Sequence, residues 1–224
     1  MKRVYVIVDA ALAGLLVAVM ATALVQEAPH EYLGMALFAA AAAHAILNRR
    51  RFKALLHGRR NAVGVVSIVV IVSLAICFVG QLASALVLSK FAFGFLPALP
   101  GASIARRVHM LCSYWGFALA FAHAGLHMRV LGRLMHIAGA RRALGAPRYA
   151  VWAARLLFAA VSCFGVYSFA KLHFGTYLLG GVQFAFADYG APIASSLASY
   201  ASIAVLIGGL FHCLRAALEA LGRH

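Results

Sequence analysis

Four histidines lie in two apolar segments at one common spacing. His30 and His44 stand 14 residues apart in "HEYLGMALFAAAAAHAILNRRRF", and His109 and His123 stand 14 residues apart in "VHMLCSYWGFALAFAHAGLHM". An ionisable ring in hydrocarbon is costly, so it is retained for a partner or a function. At ~1.5 Å of rise and ~100° of turn per residue, 14 residues advance about 21 Å and return to within about 40° of the same helix face. Each segment, as a helix, offers one imidazole at each of two levels. Two rings facing each other at one level make a pair of axial ligands, which is how a helical bundle holds haem iron without covalent attachment. Zinc usually wants four nitrogen, sulphur or carboxylate ligands, and no such cluster is evident in the sequence.

The elements that must carry these rings are membrane spans. Of 224 residues, 65% are hydrophobic and 11% are charged, far from the balance of a soluble domain. Six apolar stretches reach the length needed to cross a bilayer, at residues 4–25, 29–47, 62–88, 108–131, 149–172 and 191–214. The expected fold is all-α: a polytopic membrane bundle of about six helices in a single domain over residues 1–224. Its ligand-binding part covers about residues 1–135, and two further helices cover about 149–214. Residues 89–107, with Pro97 and Pro100, read as an ordered loop, and "LHFGTYLLGGVQFAFADYG" as an interfacial helix or a re-entrant piece. The first stretch follows Lys2 and Arg3 and ends near a small-residue Ala21-Thr22-Ala23 site. Its length and its interruption by Asp9 favour an uncleaved helix over a signal peptide.

The net charge of +15 comes from short basic runs between spans, which read as topology signals rather than a nucleic-acid face. "NRRRFKALLHGRR" and "RVLGRLMHIAGARRALGAPR" belong on the cytoplasmic side with both chain ends. The opposite loops hold Lys90, Arg106, Arg107, Lys171, Glu27, Glu31 and Asp188. The second and fourth helices then run in parallel from outside to inside, which sets His30 opposite His109 at the outer level and His44 opposite His123 at the inner.

Small residues lie between the histidines: Ser113, Gly116 and Ala120 on the fourth helix, and Gly34, Ala40 and Ala41 on the second. They leave room for a flat ligand, and they equally suit close helix packing. Arg106 and Arg107 are placed to pair with propionates of an outer haem or to anchor at lipid headgroups. His127 falls on the His109 face but ~6 Å deeper than His123, so it suits a propionate or quinone contact beside the inner level rather than ligation. His212 could join it there or make a plain interhelical hydrogen bond. His57, His136, His173 and His224 read as solvated or interfacial. Cys77, Cys112, Cys163 and Cys213 form neither a C-x-x-C-H attachment motif nor a close cluster, so any haem is b-type. No phosphate-binding glycine loop occurs, so the sequence carries no evident dinucleotide or nucleotide domain of its own.

Together with "GVYSFAKLHFGTYLLGGVQFAFADYG", the two histidine segments resemble the flavinylation-associated cytochrome family. The resemblance extends over most of the chain, and "SYWGF" with the His123-x-Gly125-x-His127 ending carries the most of it. It implies a di-haem b-type cytochrome of a prokaryotic cytoplasmic membrane, passing electrons across it toward extracytoplasmic proteins with covalently attached flavin. Carried over by position, His30, His44, His109 and His123 match the haem ligands and His127 a further family histidine. Ala187, beside Asp188, stands where the family often has a second aromatic. More distant likeness reaches respiratory cytochromes b and ferric reductase membrane domains. Two rivals accompany this expectation: a quinol oxidoreductase subunit using His127 or His212 for protons, and a permease for a metal ion or haem with histidines along its path.

Overall fold

Apolar runs rich in Ala, Leu and Val, separated by Pro, Gly and Asn, dictate helices with abrupt ends. A computed structural model describes residues 2–22, 27–57, 61–95, 97, 99–128, 147–182 and 192–222. Among these residues every regular element is a helix: α1 (Lys2–Thr22), α2 (Glu27–His57), α3 (Ala62–Leu88), α4 (Ala102–His127), α5 (Arg148–Lys171), the single-turn α6 (Phe174–Leu178) and α7 (Ile193–Leu221). The all-α reading of the sequence therefore holds. His136, His224, Ala187, Asp188 and the side chain of His57 lie outside the described residues.

Local chemistry sets the helix ends. Asn61 opens α3, its side-chain oxygen accepting the Gly64 amide at 2.8 Å, which satisfies one of the orphan donors of the first turn. Pro147 and Pro192 precede α5 and α7. Gly101 takes φ 94° at the start of α4, a conformation open to glycine. Three boundaries differ from expectation. The run "NRRRFKALLH" continues α2 to His57, because Arg, Lys, Ala and Leu are strong helix formers even beyond the apolar span. The helix α4 starts at Ala102, directly after the Pro100-Gly101 break, rather than at residue 108, and α7 runs on to Leu221.

Five of these helices, α1, α2, α3, α5 and α7, are long and apolar enough to cross a membrane. The 26-residue α4 matches them in length, and its arginines and histidines lower its mean hydropathy. It lies between α3 and α7. The core forms where α4, α6 and α7 meet, on Phe117, Phe174 and Ile203, each fully buried, with Tyr114, Tyr177 and Tyr200 around them. Tyr114 and Tyr177 stack with ring centroids 4.3 Å apart. In contrast α2 packs along α1, touches α3 lightly and makes no helix–helix packing with α4 among the described residues.

Glycines permit the α4–α7 and α5–α7 crossings. A Cβ on Gly125 would collide with the carbonyl of Gly208, and one on Gly165 would stand 2.5 Å from the Ser202 carbonyl oxygen of α7. Small residues allow backbones this close where van der Waals packing drives helix association. Gly125→Leu is expected to force α4 and α7 apart and to cost about 1–3 kcal/mol, the usual penalty of overpacking, read as a lower thermal midpoint in detergent. Gly14→Ala, whose Cβ would meet nothing within 4 Å, serves as the neutral or mildly stabilising control. Equal melting of Gly125→Leu and the parent would refute the close crossing.

Candidate functional site

The site begins with α1, which holds the two α2 histidines. The pair is antiparallel: Tyr5 donates to the Leu47 carbonyl at 3.4 Å and the Arg51 guanidinium lies over the Tyr5 ring. In that register His30 Nδ1 meets the Val19 carbonyl oxygen at 3.1 Å and His44 Nδ1 meets Asp9 Oδ1 at 2.8 Å. A carbonyl and a carboxylate can only accept, so in both rings Nδ1 carries the proton. The lone pair of each neutral ring is then on Nε2.

Across from them stand the histidines of α4. The ring centroids of His30 and His109 are 6.2 Å apart at an interplanar angle of 64°, and those of His44 and His123 are 6.3 Å apart at 85°. The order of these two contacts shows α2 and α4 to be parallel. Both α4 rings sit in an apolar setting with few polar neighbours. Ser84 of α3 donates to its own helix at 2.8 Å, so its oxygen at 3.3 Å accepts from His109 Nδ1. The Gln81 amide donates to His109 Nε2 at 3.0 Å and, at the same distance, to the Ser113 hydroxyl. Gln81 thus covers Nε2 of His109 while keeping Ser113 as a second partner to turn to. His123 Nδ1 is buried with no hydrogen-bond partner among the described residues, a cost of about 1–3 kcal/mol that a structure rarely leaves uncompensated.

These distances can be tested against a metal held between the rings. With about 2 Å from metal to imidazole nitrogen and ~1.1 Å more to the ring centre, two rings on opposite sides of one ion sit about 6 Å apart. Both pairs meet that value. Edge contact between aromatic rings covers the same range, but the rings here meet across two helices that show no extensive packing on each other among the described residues, and they do so twice. Gly34 faces open space, since a Cβ there would meet nothing within 4 Å. Gly116 differs: its nearest neighbour would be Cys77 of α3 at 3.8 Å, so the α4 small-residue stripe serves packing on α3 at that point. No three His, Cys, Asp or Glu side chains gather into a metal cage among the described residues; the site offers pairs.

The remaining candidates divide by position. Arg106 and Arg107 are exposed in the first turns of α4, on the turn before His109. His127 is exposed at the last turn of α4, its ring 4.7 Å from that of His123. Arg215 of α7 donates to the Leu126 carbonyl there and pairs with Glu219 at 2.8 Å. His212, one turn before Arg215, has a buried Nδ1 without a partner among the described residues. His173 takes φ 49° at the α5–α6 junction.

Three contributors escaped sequence reasoning. Asp9 was read only as an interruption of an apolar run, although an acidic residue within a span signals a partner. Gln81, polar within α3, gave the same signal. Glu31 was read only as an outer-loop acid. Its carboxylate accepts the backbone amides of Lys90 at 2.9 Å, Phe91 at 3.0 Å and Ala92 at 2.8 Å and the Ser89 hydroxyl at 2.7 Å. Beside it Glu27 pairs with Lys90 at 2.9 Å. This clamp ties the start of α2 to the end of α3 and fixes the height of His30.

No family model matches the chain, no curated protein matches it, and no solved structure matches it. The functional reading therefore rests on the site. Glu31→Ala is expected to strip four hydrogen bonds from residues 89–92, costing about 1.5–3 kcal/mol as charge-assisted bonds do, and to lower the thermal midpoint. Glu27→Ala, which breaks an exposed pair worth at most about 1 kcal/mol, should fall well short of it. Equal effects of the two would contradict the clamp.

Proposed function

We propose that the protein is a di-haem b-type cytochrome that carries electrons across the cytoplasmic membrane of a prokaryote, with α4 as its sixth span and both chain ends on the cytoplasmic side. The observation that carries this reading is the pair of matched ring contacts, His30 with His109 and His44 with His123, at near-equal separations on parallel helices that stand apart. Two b haems, once bound, supply a one-electron ferric/ferrous couple at each of two levels about 21 Å apart along the helices.

The chain's own residues do the rest. His30 and His44 present Nε2 because α1 occupies their Nδ1 atoms. His109 would hold the outer haem once Gln81 turned wholly to Ser113, and His123 would hold the inner one. Apolar side chains along α2, α3 and α4 keep water from the ligated rings. Arg106 and Arg107 would meet the propionates of the outer haem, and His127, beside His123, would meet a propionate of the inner one. Electrons enter from quinol or a reduced protein partner and leave toward an extracytoplasmic flavinylated protein, as the family resemblance implies. A quinol oxidoreductase subunit is the second reading, supported by the unpartnered His212 Nδ1 near the α4 terminus where His127 lies; there His212 and His127 would take up protons from a bound quinol.

The test is level by level. Membrane protein purified in detergent should show reduced-minus-oxidised b-haem bands. His30→Ala and His109→Ala should each remove the same haem, while His44→Ala and His123→Ala remove the other, and His127→Ala keeps both. Loss of one and the same haem in all four ligand variants, with folding intact, contradicts the pairing. Absence of b bands from the folded parent contradicts the function and favours a permease. Quinol-driven haem reduction that weakens in His127→Ala or His212→Ala would select the quinol reading.

A further inference from the structure

The two α2 histidines are held by different chemistry. His30 Nδ1 faces a neutral acceptor, the Val19 carbonyl at 3.1 Å, whereas His44 Nδ1 faces the Asp9 carboxylate at 2.8 Å. Asp9 is the sole acidic residue of α1, and its side chain is 58% exposed on a helix that is otherwise apolar beyond its first turn. A carboxylate on such a surface is expensive in a bilayer and is retained for what it pairs with. The groups facing the pair from α2 are polar or cationic. Asn48 lies with its amide nitrogen 3.5 Å from His44 Nδ1 while donating to the His44 carbonyl at 3.0 Å. Arg51 lies over Tyr5, one turn before Asp9 on α1.

A carboxylate on the far nitrogen of a ligating imidazole fixes the ring's tautomer and orientation and raises its basicity. A more basic ligand stabilises a ferric ion over a ferrous one, so it lowers the reduction potential. Neither ring of the other level is hydrogen-bonded to an anion: His30 has a backbone carbonyl, with the Glu31 carboxylate acting on it only through space, and His109 has Ser84 and Gln81. Among the four rings, His44 alone is hydrogen-bonded to a carboxylate.

We propose that Asp9 is a positioning residue that tunes one haem: by accepting the Nδ1 proton of His44 it strengthens this ligand and lowers the potential of the haem at the His44/His123 level, leaving the other level untouched. This rests on the di-haem reading. Two levels held by equal imidazole pairs thereby become unequal sites, with Asp9 biasing electrons away from the cytoplasmic level.

The experiment is a spectroelectrochemical titration of the purified, haem-replete full chain, of Asp9→Asn and of Asp9→Glu, with the inner haem identified as the one missing from His44→Ala. Asn keeps an acceptor oxygen without charge; Glu keeps the charge. In Asp9→Asn the ferric-to-ferrous ratio of the inner haem at a fixed ambient potential is expected to fall about tenfold, an upward shift of about 59 mV for a one-electron couple. The outer haem should not move, and Asp9→Glu should remain within a fewfold of the parent. An unmoved or downward-shifted inner haem in Asp9→Asn, or a shift confined to the outer haem, would overturn the proposal. If Asp9→Asn loses its inner haem, retention at near-parent potential in Asp9→Glu supports the role of charge, and loss in both variants overturns it. A folded parent without haem instead defeats the cytochrome reading itself, and this proposal with it.

Discussion

Everything at the candidate site depends on the hold that α1 keeps on Nδ1 of His30 and His44. An imidazole on a helix facing an open gap has rotamers and two tautomers to choose among, and a ligand pair needs one of each. The Val19 carbonyl and the Asp9 carboxylate remove that freedom at both levels. The antiparallel register of α1 and α2 brings the two acceptors to the two rings, so this short contact supports both pairs at once. Since among the described residues α2 barely touches α3 and shows no extensive packing on α4, its alignment with α4 needs a second brace. The Glu31 clamp on residues 89–92 supplies it from the other side.

The rest of the molecule is divided between rigidity and space. Helices α4, α6 and α7, with Met20 and Ala21 at the end of α1, meet over the buried aromatic core, and α5 joins α7 at a glycine crossing. Among the described residues helix α2 has none that is buried. A bundle built this way has a fixed wall, α3 with α4, and a second wall set off from it by α1. In the proposed reading a flat cofactor would lie between these walls, whereas a path for ions would have its donors line a continuous lumen rather than meet at two discrete levels. The unequal partners of His30 and His44 then give such a protein a means to make two like sites chemically different.

Much of this was legible in the sequence. Equal spacings in two segments set the levels, basic runs set the second and fourth helices parallel, and the His30/His109 and His44/His123 contacts follow that order. The preference for His123 over His127 opposite His44 came from rise per residue and agrees with the ring contact observed. What remained hidden was tertiary. Nothing local says that Asp9 sits level with His44, because that depends on the register of two antiparallel helices joined through residues 23–26. The small residues of α4 were ambiguous for a related reason: one stripe cannot say which neighbour it faces, and Gly116 faces α3 whereas Gly125 faces α7. Helix ends were misjudged where charge and helix propensity part company, as in the basic extension of α2.

The central claim is that each chain offers two ligand pairs for two haems, and the most direct measurement is haem content per chain, taken with the reduced-minus-oxidised visible spectrum on purified protein in detergent. The account expects two low-spin b haems per polypeptide. One haem or none in a well-folded preparation supplied with haem would contradict it.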